Sequence, residues 1–327
     1  MERMMIMPGF TTHYLFGFNT YKDLKSQELK QSLKSNHAAY SLGLQGPDLF
    51  FYFLPSYLIH KNNIGSVAHT TNTHEFLYYL LKSRTLFPSQ IEQSIAQSYI
   101  AGFIGHYVLD THCHPYVYWN THFQEKNNHY YGAHVTLEVD IDQKLLADYK
   151  QKLPSQFPQT STILLSSLQR RTIATILYYV YSKVYPDLHI CYATMKTSIA
   201  SIQLGTKLLH DPSGRKKILI RKLEQILLGY PMLSCLIPSD CTSSYQDPLN
   251  IRHRQWRNPW DKTFTSKATF LDLMEHSQLE YTVILEDLYQ LFHTKTHTPL
   301  EQKRTAHLLL TLGNNSYHSG IDWKIPS

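Results

Sequence analysis

Apolar residues recur every three to four positions over long stretches of the chain, which is the spacing of one face of an α-helix. Beyond residue 145 this pattern predicts helices over about 159–185, 188–209, 214–229, 265–293 and 299–312. The proline-rich stretch 231–262 has neither this spacing nor the alternation of a strand, so we expect an irregular loop there. The pattern therefore predicts an all-α protein.

The amino-terminal part shows the same spacing, interrupted by glycine and proline. Thr11 is a helix-capping residue type in front of an aromatic segment, so we expect a first helix with His13 in its opening turn. Gly46-Pro47 breaks a further helix and leaves Asp48 on a loop. Helix capping is the simplest structural role for such an aspartate, and metal binding is the functional alternative.

The most distinctive segment is 102–115, GFIGHYVLDTHCHP, at the end of a helix predicted to begin after the cap Ser89. His106 and Asp110 lie four positions apart in it. A helix would place their side chains on one face, with Cβ atoms about 6 Å apart. That separation allows both side chains to bind one metal ion.

The end of this helix is predicted from Pro115, which disfavours helical angles in the residue before it. We therefore expect the helix to end near His112 to His114 and a loop to follow over 116–131. Gly102 and Gly105 would allow a neighbouring backbone to approach the helix closely.

A second pair with the same spacing follows at His134 and Glu138. The chain contains 19 histidines in 327 residues, so one pair could arise by chance, and two are harder to dismiss. Imidazole and carboxylate at helical spacing are the ligands that zinc takes in hydrolytic sites. The pairs predict a metal site, and histidines packed in the core are the alternative.

The composition fits a helical globular protein. The 24 tyrosines and 14 phenylalanines are many and the 13 glycines few, which disfavours disorder and turn-rich β architecture. The net charge of +6 is spread along the chain and indicates only a weak preference for anionic partners. The sequence contains no phosphate-binding glycine loop, no serine-hydrolase elbow and no specific nucleic-acid motif.

Four cysteines lie far apart without a C-x-x-C pair, which favours a reduced chain over a disulfide framework: Cys113, Cys191, Cys235 and Cys241. We find no signal peptide and no apolar run of about 18 residues that would cross a membrane. A cytoplasmic location is therefore expected, with export by another route left open. The sequence does not define the oligomeric state.

In the order and type of these residues, the chain resembles the zinc-dependent phospholipase C family, the all-helical bacterial enzymes related to the clostridial alpha-toxin catalytic domain. The resemblance covers about residues 8–142. It implies a multi-helix bundle around two zinc ions, or three. It assigns as metal ligands His13, Asp48, His69, His106, Asp110, His114, His134 and Glu138.

This sequence departs from the family in three ways. Secreted members bind metal through a processed amino terminus, and no signal peptide that would create one is found here. The short gap after Asp110 leaves His112 and His122 as rivals to His114. The toxin relatives also append a β-sandwich that binds membranes, whereas residues 146–327 are predicted to be a helical extension of one domain spanning 1–327.

The resemblance implies hydrolysis of a phosphodiester, either a small molecule or a phospholipid, with Asp48 orienting or deprotonating the attacking water. The aromatic run 49–57, Tyr116, Tyr118 and Trp119 could wall the pocket, although core packing accounts for most of them. Two other functions use similar residues. One is a single-strand nuclease, and the other is a binding module held together by structural zinc.

Overall fold

We describe the protein from a computed structural model, for residues 9–56, 63–123, 130–231, 233–240 and 245–324. The α-helices are α1 Phe10–Asp23, α2 Gln27–Ser35, α3 His37–Gly43, α4 Ile64–Thr70, α5 Thr73–Lys82, α6 Gln90–Asn120, α7 Tyr130–Lys150, α8 Ser167–Val184, α9 Tyr192–Leu209, α10 Arg215–Leu227, α11 Phe270–Phe292 and α12 Pro299–Leu312. Short 3-10 helices connect several of them, including Gly46–Tyr52. The predicted all-α fold is confirmed.

The 31-residue helix α6 is the centre of the molecule. It is apolar on every side and buried along most of its length, as expected for a helix surrounded by others. Helix α3 crosses it at Gly43 and Gly102, where a Cβ on either residue would overlap the backbone of the other helix. Gly105 instead makes room for the ring of Tyr281, whose hydroxyl donates a hydrogen bond to the Ala101 carbonyl at 2.7 Å.

The prediction that this helix ends before Pro115 was wrong, because α6 continues to Asn120. Proline removes the hydrogen bond to the carbonyl four residues earlier, here that of Thr111. Gly320, with a φ of 67°, packs so closely on that carbonyl that a Cβ would overlap it. Tertiary packing at this point overrides the local preference. The predicted loop therefore starts later, and its residues 124–129 lie outside the described ranges.

Helix α1 begins at Phe10, and its first turn is held by a distant side chain. The carboxylate of Asp142 accepts hydrogen bonds from the Thr11 and Thr12 backbone N–H groups at 3.0 and 2.7 Å. The predicted capping role of Thr11 was therefore wrong, since Thr11 lies inside the helix and Asp142 of α7 supplies the acceptor. This contact fixes α1 on α7 and places His13 in the interior.

Asp48 was predicted on a loop and instead lies in the 3-10 helix Gly46–Tyr52, where it is buried. Gly46 has a φ of 48°, and a Cβ there would overlap the ring of His106. Glycine is needed at this position for both reasons. The turn it forms brings the Asp48 segment against α6.

The helices predicted beyond residue 145 are present, with ends shifted by a few residues, and 159–163 forms a 3-10 turn. They share one apolar core with the amino-terminal helices; Ile176 and Ile284 belong to it together with Leu15 and Ile104. The division into a metal-binding half and a helical extension of one domain stays a prediction. The loop 231–262 contains one short strand, Trp256–Arg257, paired antiparallel with Thr265–Ser266.

After α12 the chain folds back over α4 and α6. The Tyr317 N–H donates to the His69 carbonyl at 3.3 Å, and Asn258 Nδ2 donates to the Ser319 carbonyl at 2.8 Å. No helix in the described ranges is long and apolar enough to span a bilayer. Cys113, Cys191 and Cys235 form no disulfide, and Cys241 lies outside the described residues.

Candidate metal centre

All eight side chains proposed from the sequence are buried and lie close together, around the middle of α6. They are contributed by five elements. The contributing residues are His13 of α1, Asp48 of the 3-10 helix Gly46–Tyr52, His69 of α4, His106, Asp110 and His114 of α6, and His134 and Glu138 of α7.

The first group of donors joins α1 to α6. His13 Nε2 lies 3.2 Å from Asp110 Oδ1, and His106 Nε2 lies 2.9 Å from Asp110 Oδ2. The two imidazole rings stack with centroids 4.2 Å apart. One donor atom from each of the three residues falls within 4.8 Å of the others, close enough to bind a common ion.

The second group shares His106 with the first. His69 Nε2 lies 3.2 Å from Asp48 Oδ1 and 3.7 Å from Asp110 Oδ2. Donor atoms of Asp48, His69 and His106 again lie within 4.8 Å of one another. Asp110 therefore stands between two groups, as a carboxylate that bridges two ions would.

The third group joins α6 to α7. Glu138 Oε1 lies 3.5 Å from His114 Nε2 and 3.3 Å from His134 Nε2. His114 also connects this group to the others, because its Nδ1 lies 3.7 Å from Asp110 Oδ2. The three groups form one continuous cluster.

Backbone carbonyls orient three of the imidazoles. The Nδ1 atoms of His69, His106 and His114 lie 2.7, 3.1 and 2.8 Å from the carbonyls of Gly65, Leu44 and Tyr317. A carbonyl can only accept, so each Nδ1 must carry the proton. In the neutral form of each ring, Nε2 is then unprotonated and faces the cluster, which is the tautomer that a metal requires.

This arrangement fits a bound cation. Carboxylate oxygens and imidazole nitrogens face each other in the cluster, yet several of these buried atoms make no hydrogen bond. They are Asp48 Oδ1, His69 Nε2, His106 Nε2, Asp110 Oδ2 and Glu138 Oε2. Buried polar atoms are normally satisfied, and a neutral Nε2 lone pair facing a carboxylate is repulsive. A metal ion between them removes both costs.

The charges point the same way. Burial raises the pKa of Glu138, but His134 and His114 outweigh it and lower that pKa to about 2. For Asp110, too, burial acts against ionisation, and the histidines around it, led by His106, hold its pKa well below the usual value. Burial, together with the neighbouring His13, lowers the pKa of His106. Burial lowers the pKa of His13 and His114, but the nearby carboxylates outweigh it and raise the pKa of His13 above its usual value and that of His114 to about 9. A bound metal would displace these protons and leave ionised carboxylates with neutral imidazoles, a zinc-binding combination.

Of the rivals to His114, the structure places His112 on another face of α6. Its Nε2 lies 3.2 Å from Glu280 Oε2, and together with His276 these residues form a separate, partly exposed group. His122 follows the end of α6 and is exposed. His114 is the one of the three that joins the buried cluster.

One histidine beside the cluster is missing from the predicted set. His318 is buried, and its ring lies 5.6 Å from that of His69 and 6.1 Å from that of His114. Burial, with repulsion by neighbouring histidines, lowers its pKa well below the usual value. It lies 180 residues beyond Glu138. Asp322 follows it four positions later, but this segment is not helical, so that spacing does not signal a shared site.

Aromatic residues line the cluster on one side. The ring of Tyr118 lies 4.7 Å from His134 and 4.9 Å from Trp260, and Phe51 lies 5.7 Å from His69. Tyr116 instead packs in the core and donates to the Pro248 carbonyl at 2.8 Å. A shallow pocket lined in part by His13, Asp110, His114 and Glu138 also borders the cluster.

The comparisons with known proteins agree with this centre. A family model described as zinc dependent phospholipase C matches residues 12–200, which is more than half of the chain. No curated protein and no solved structure matches the chain.

Proposed function

Because the chain belongs to the zinc-dependent phospholipase C family, we propose that it is a zinc-dependent hydrolase of phosphodiesters with phospholipids as its substrate class. The observation that carries the proposal is the buried cluster of four carboxylate and imidazole contacts around Asp110. A cluster of this size exceeds what one structural zinc needs, since structural sites are usually closed tetrahedra rich in cysteine.

We assign the donors by the three groups. His114, His134 and Glu138 would hold one zinc ion, and Asp48, His69 and His106 a second, with Asp110 between them. His13 and Asp110 could contribute to a third.

Zinc, when bound, supplies Lewis-acid stabilisation of the phosphate oxygens and makes water acidic enough to attack near neutral pH. In the reaction water adds to phosphorus, the bond from phosphorus to the leaving alcohol breaks, and the alcohol takes up a proton. The Asp48 carboxylate would accept the proton that the attacking water loses. The aromatic side formed by Tyr118 and Trp260 would exclude solvent and receive a lipid head group.

Replacement of Asp48 by asparagine tests this assignment. Asp48→Asn keeps the shape of the side chain and one oxygen, so zinc content and fold should be largely retained. General-base assistance is typically worth about 10²–10⁴ in rate, and hydrolysis should fall by at least the lower factor. The measurements are zinc by atomic absorption and the initial rate on a soluble phosphodiester.

Two results would contradict the proposal. Normal hydrolysis by Asp48→Asn would remove Asp48 from the reaction. Wild-type protein that holds zinc and cleaves phospholipids at no measurable rate would instead support a structural zinc, and cleavage of single-stranded nucleic acid alone would support a nuclease. Thr111→Ser, on the surface of α6 next to the cluster, is a control that should change neither zinc nor rate.

A further inference from the structure

Helix α10, Arg215–Leu227, exposes its apolar face to solvent. Leu219, Leu223, Ile226 and Leu227 have the spacing i, i+4, i+7 and i+8, which places them on one side of the helix. Their exposed fractions are 61, 50, 81 and 77%. A helix of a globular protein normally turns this stripe towards the core, whereas in the described part of the chain no element covers the stripe on α10.

The polar side of α10 is the side that holds it to the protein. Glu224 is the buried residue of the helix. Its carboxylate accepts hydrogen bonds from the N–H groups of Leu233 and Ser234 and from the Ser234 hydroxyl. At the start of the helix, Lys216 donates to the carbonyls of Leu208 and His210 at 2.7 and 2.6 Å. These polar contacts hold α10 in an orientation in which its apolar stripe faces the solvent.

Positive charge lies beside the stripe. The helix contains five basic residues and a single acidic one, the buried Glu224. Arg215 and Lys222 are exposed next to the stripe, whereas Arg221 lies on the opposite side of the helix. An apolar stripe flanked by lysine and arginine is the composition of helices that lie in the surface of an anionic membrane.

We propose that α10 docks the protein on the surface of an anionic phospholipid bilayer, with the four apolar side chains inserted and the basic side chains among the head groups. This inference rests on the proposed hydrolysis of phospholipids, and it identifies the surface of the protein that contacts the bilayer. Charge decides between a bilayer and a second copy of the chain. Two copies paired through this face would bring their basic residues together, whereas anionic lipid complements them.

Vesicle sedimentation tests the proposal with the full-length protein. The probes are sucrose-loaded vesicles of phosphatidylcholine alone and of phosphatidylcholine with phosphatidylglycerol. We expect the double variant Ile226→Gln/Leu227→Gln to bind the mixed vesicles at least about tenfold more weakly, because each buried apolar side chain contributes more than that factor when fully inserted. Arg215→Gln/Lys222→Gln should lose about fivefold per charge on the mixed vesicles and little on phosphatidylcholine.

A matched control comes from α12. Leu310 has the same exposed fraction as Ile226, 81%, and Lys303 is also exposed. Lys303→Gln/Leu310→Gln should bind vesicles as the wild type does, and thermal unfolding should show all variants folded. Equal binding by the α10 and α12 variants would overturn the proposal. So would a wild-type dimer in analytical ultracentrifugation that Ile226→Gln/Leu227→Gln dissociates, because a second copy would then cover the stripe.

Docking and hydrolysis are separated by following two substrates. The α10 variants should cleave a soluble phosphodiester at the wild-type rate. Vesicle binding that depends on α10, without release of head group from any lipid, would remove the proposed hydrolysis and keep the docking helix. Cleavage of the soluble substrate by a protein that binds neither vesicle would remove the docking helix and keep the hydrolase.

Discussion

Two groups of histidine and glutamate in this protein have almost the same design and differ in burial. One is His134 and Glu138 of α7 with His114 of α6, and the other is His276 and Glu280 of α11 with His112 of α6. Each combines a pair four residues apart with a histidine from the central helix. The side chain of Glu138 is 8% exposed, and that of Glu280 is 35% exposed.

This difference in burial explains why the inner group favours a bound cation and the outer group does not need one. Water can solvate Glu280, and a protonated His112 neutralises it. Burial lowers the pKa of His112, but the hydrogen bond and charge of Glu280 raise it above the usual value. In the interior, Glu138, Asp110 and Asp48 are each at most 7% exposed over the whole residue, and leaving such charges unpaired would cost several kcal/mol each. A bound metal ion would supply the positive charge that they need.

The largest effect should come from removing a central ligand. His106→Ala should lose most of the bound zinc, and its free energy of unfolding should fall by about 3 kcal/mol or more, the stabilisation given by a ligand at about 100 times its Kd. His112→Ala, six residues further along α6, is the matched control and should keep the zinc. Zinc analysis with urea unfolding measures both. Equal loss of zinc in the two variants would break the distinction between the groups.

A smaller effect should follow from Asp142, which holds α1 against α7. Asp142→Ala removes the acceptor for the Thr11 and Thr12 N–H groups and should cost about 0.5–2 kcal/mol, as the loss of a helix cap does. Because His13 follows these residues, zinc should also dissociate faster. Asp142→Asn keeps one oxygen, so its free energy of unfolding should lie between those of the wild type and Asp142→Ala. An unchanged unfolding free energy and zinc off-rate would show that α1 is positioned by other contacts.

The smallest effect should come from the exposed pair and should depend on pH. A folded-state pKa of His112 above 6.5 means that its stabilisation is present below pH 6.5 and lost as the pH rises through the folded value. Glu280→Gln should therefore lower the free energy of unfolding by less than about 1 kcal/mol at pH 5.5 and by no measurable amount at pH 9. Urea unfolding at the two pH values decides. A larger loss at pH 9 would mean that the group does not act as a simple ion pair.

Helical spacing explains why two pairs of the candidate metal centre could be recognised in the sequence, while the other four residues were assigned by the family resemblance. His106 with Asp110 and His134 with Glu138 each have a separation that any helix converts into proximity. The helical periods beyond residue 145 likewise predicted helices that are present. These features depend on residues close in sequence, so they can be derived without knowing how the helices pack.

The remaining features were decided by contacts between distant parts of the chain. Pro115 lies within a helix because Gly320 packs at the exposed carbonyl of Thr111, and Thr11 needs no cap of its own because Asp142 provides one. Similarly, His318 reaches the cluster only because the chain returns after α12.

By itself, the sequence determined which side chains could chelate a metal and which segments would be helical, since both follow from periodicity along a single helix. Only the tertiary structure decided that His114 faces the cluster and His112 the surface, and that α10 turns its leucines outward. Two residues apart on a helix point about 200° apart, so the packing of α6 against α7 and α11 selects which one is buried. Sequence separation carries no information about that choice.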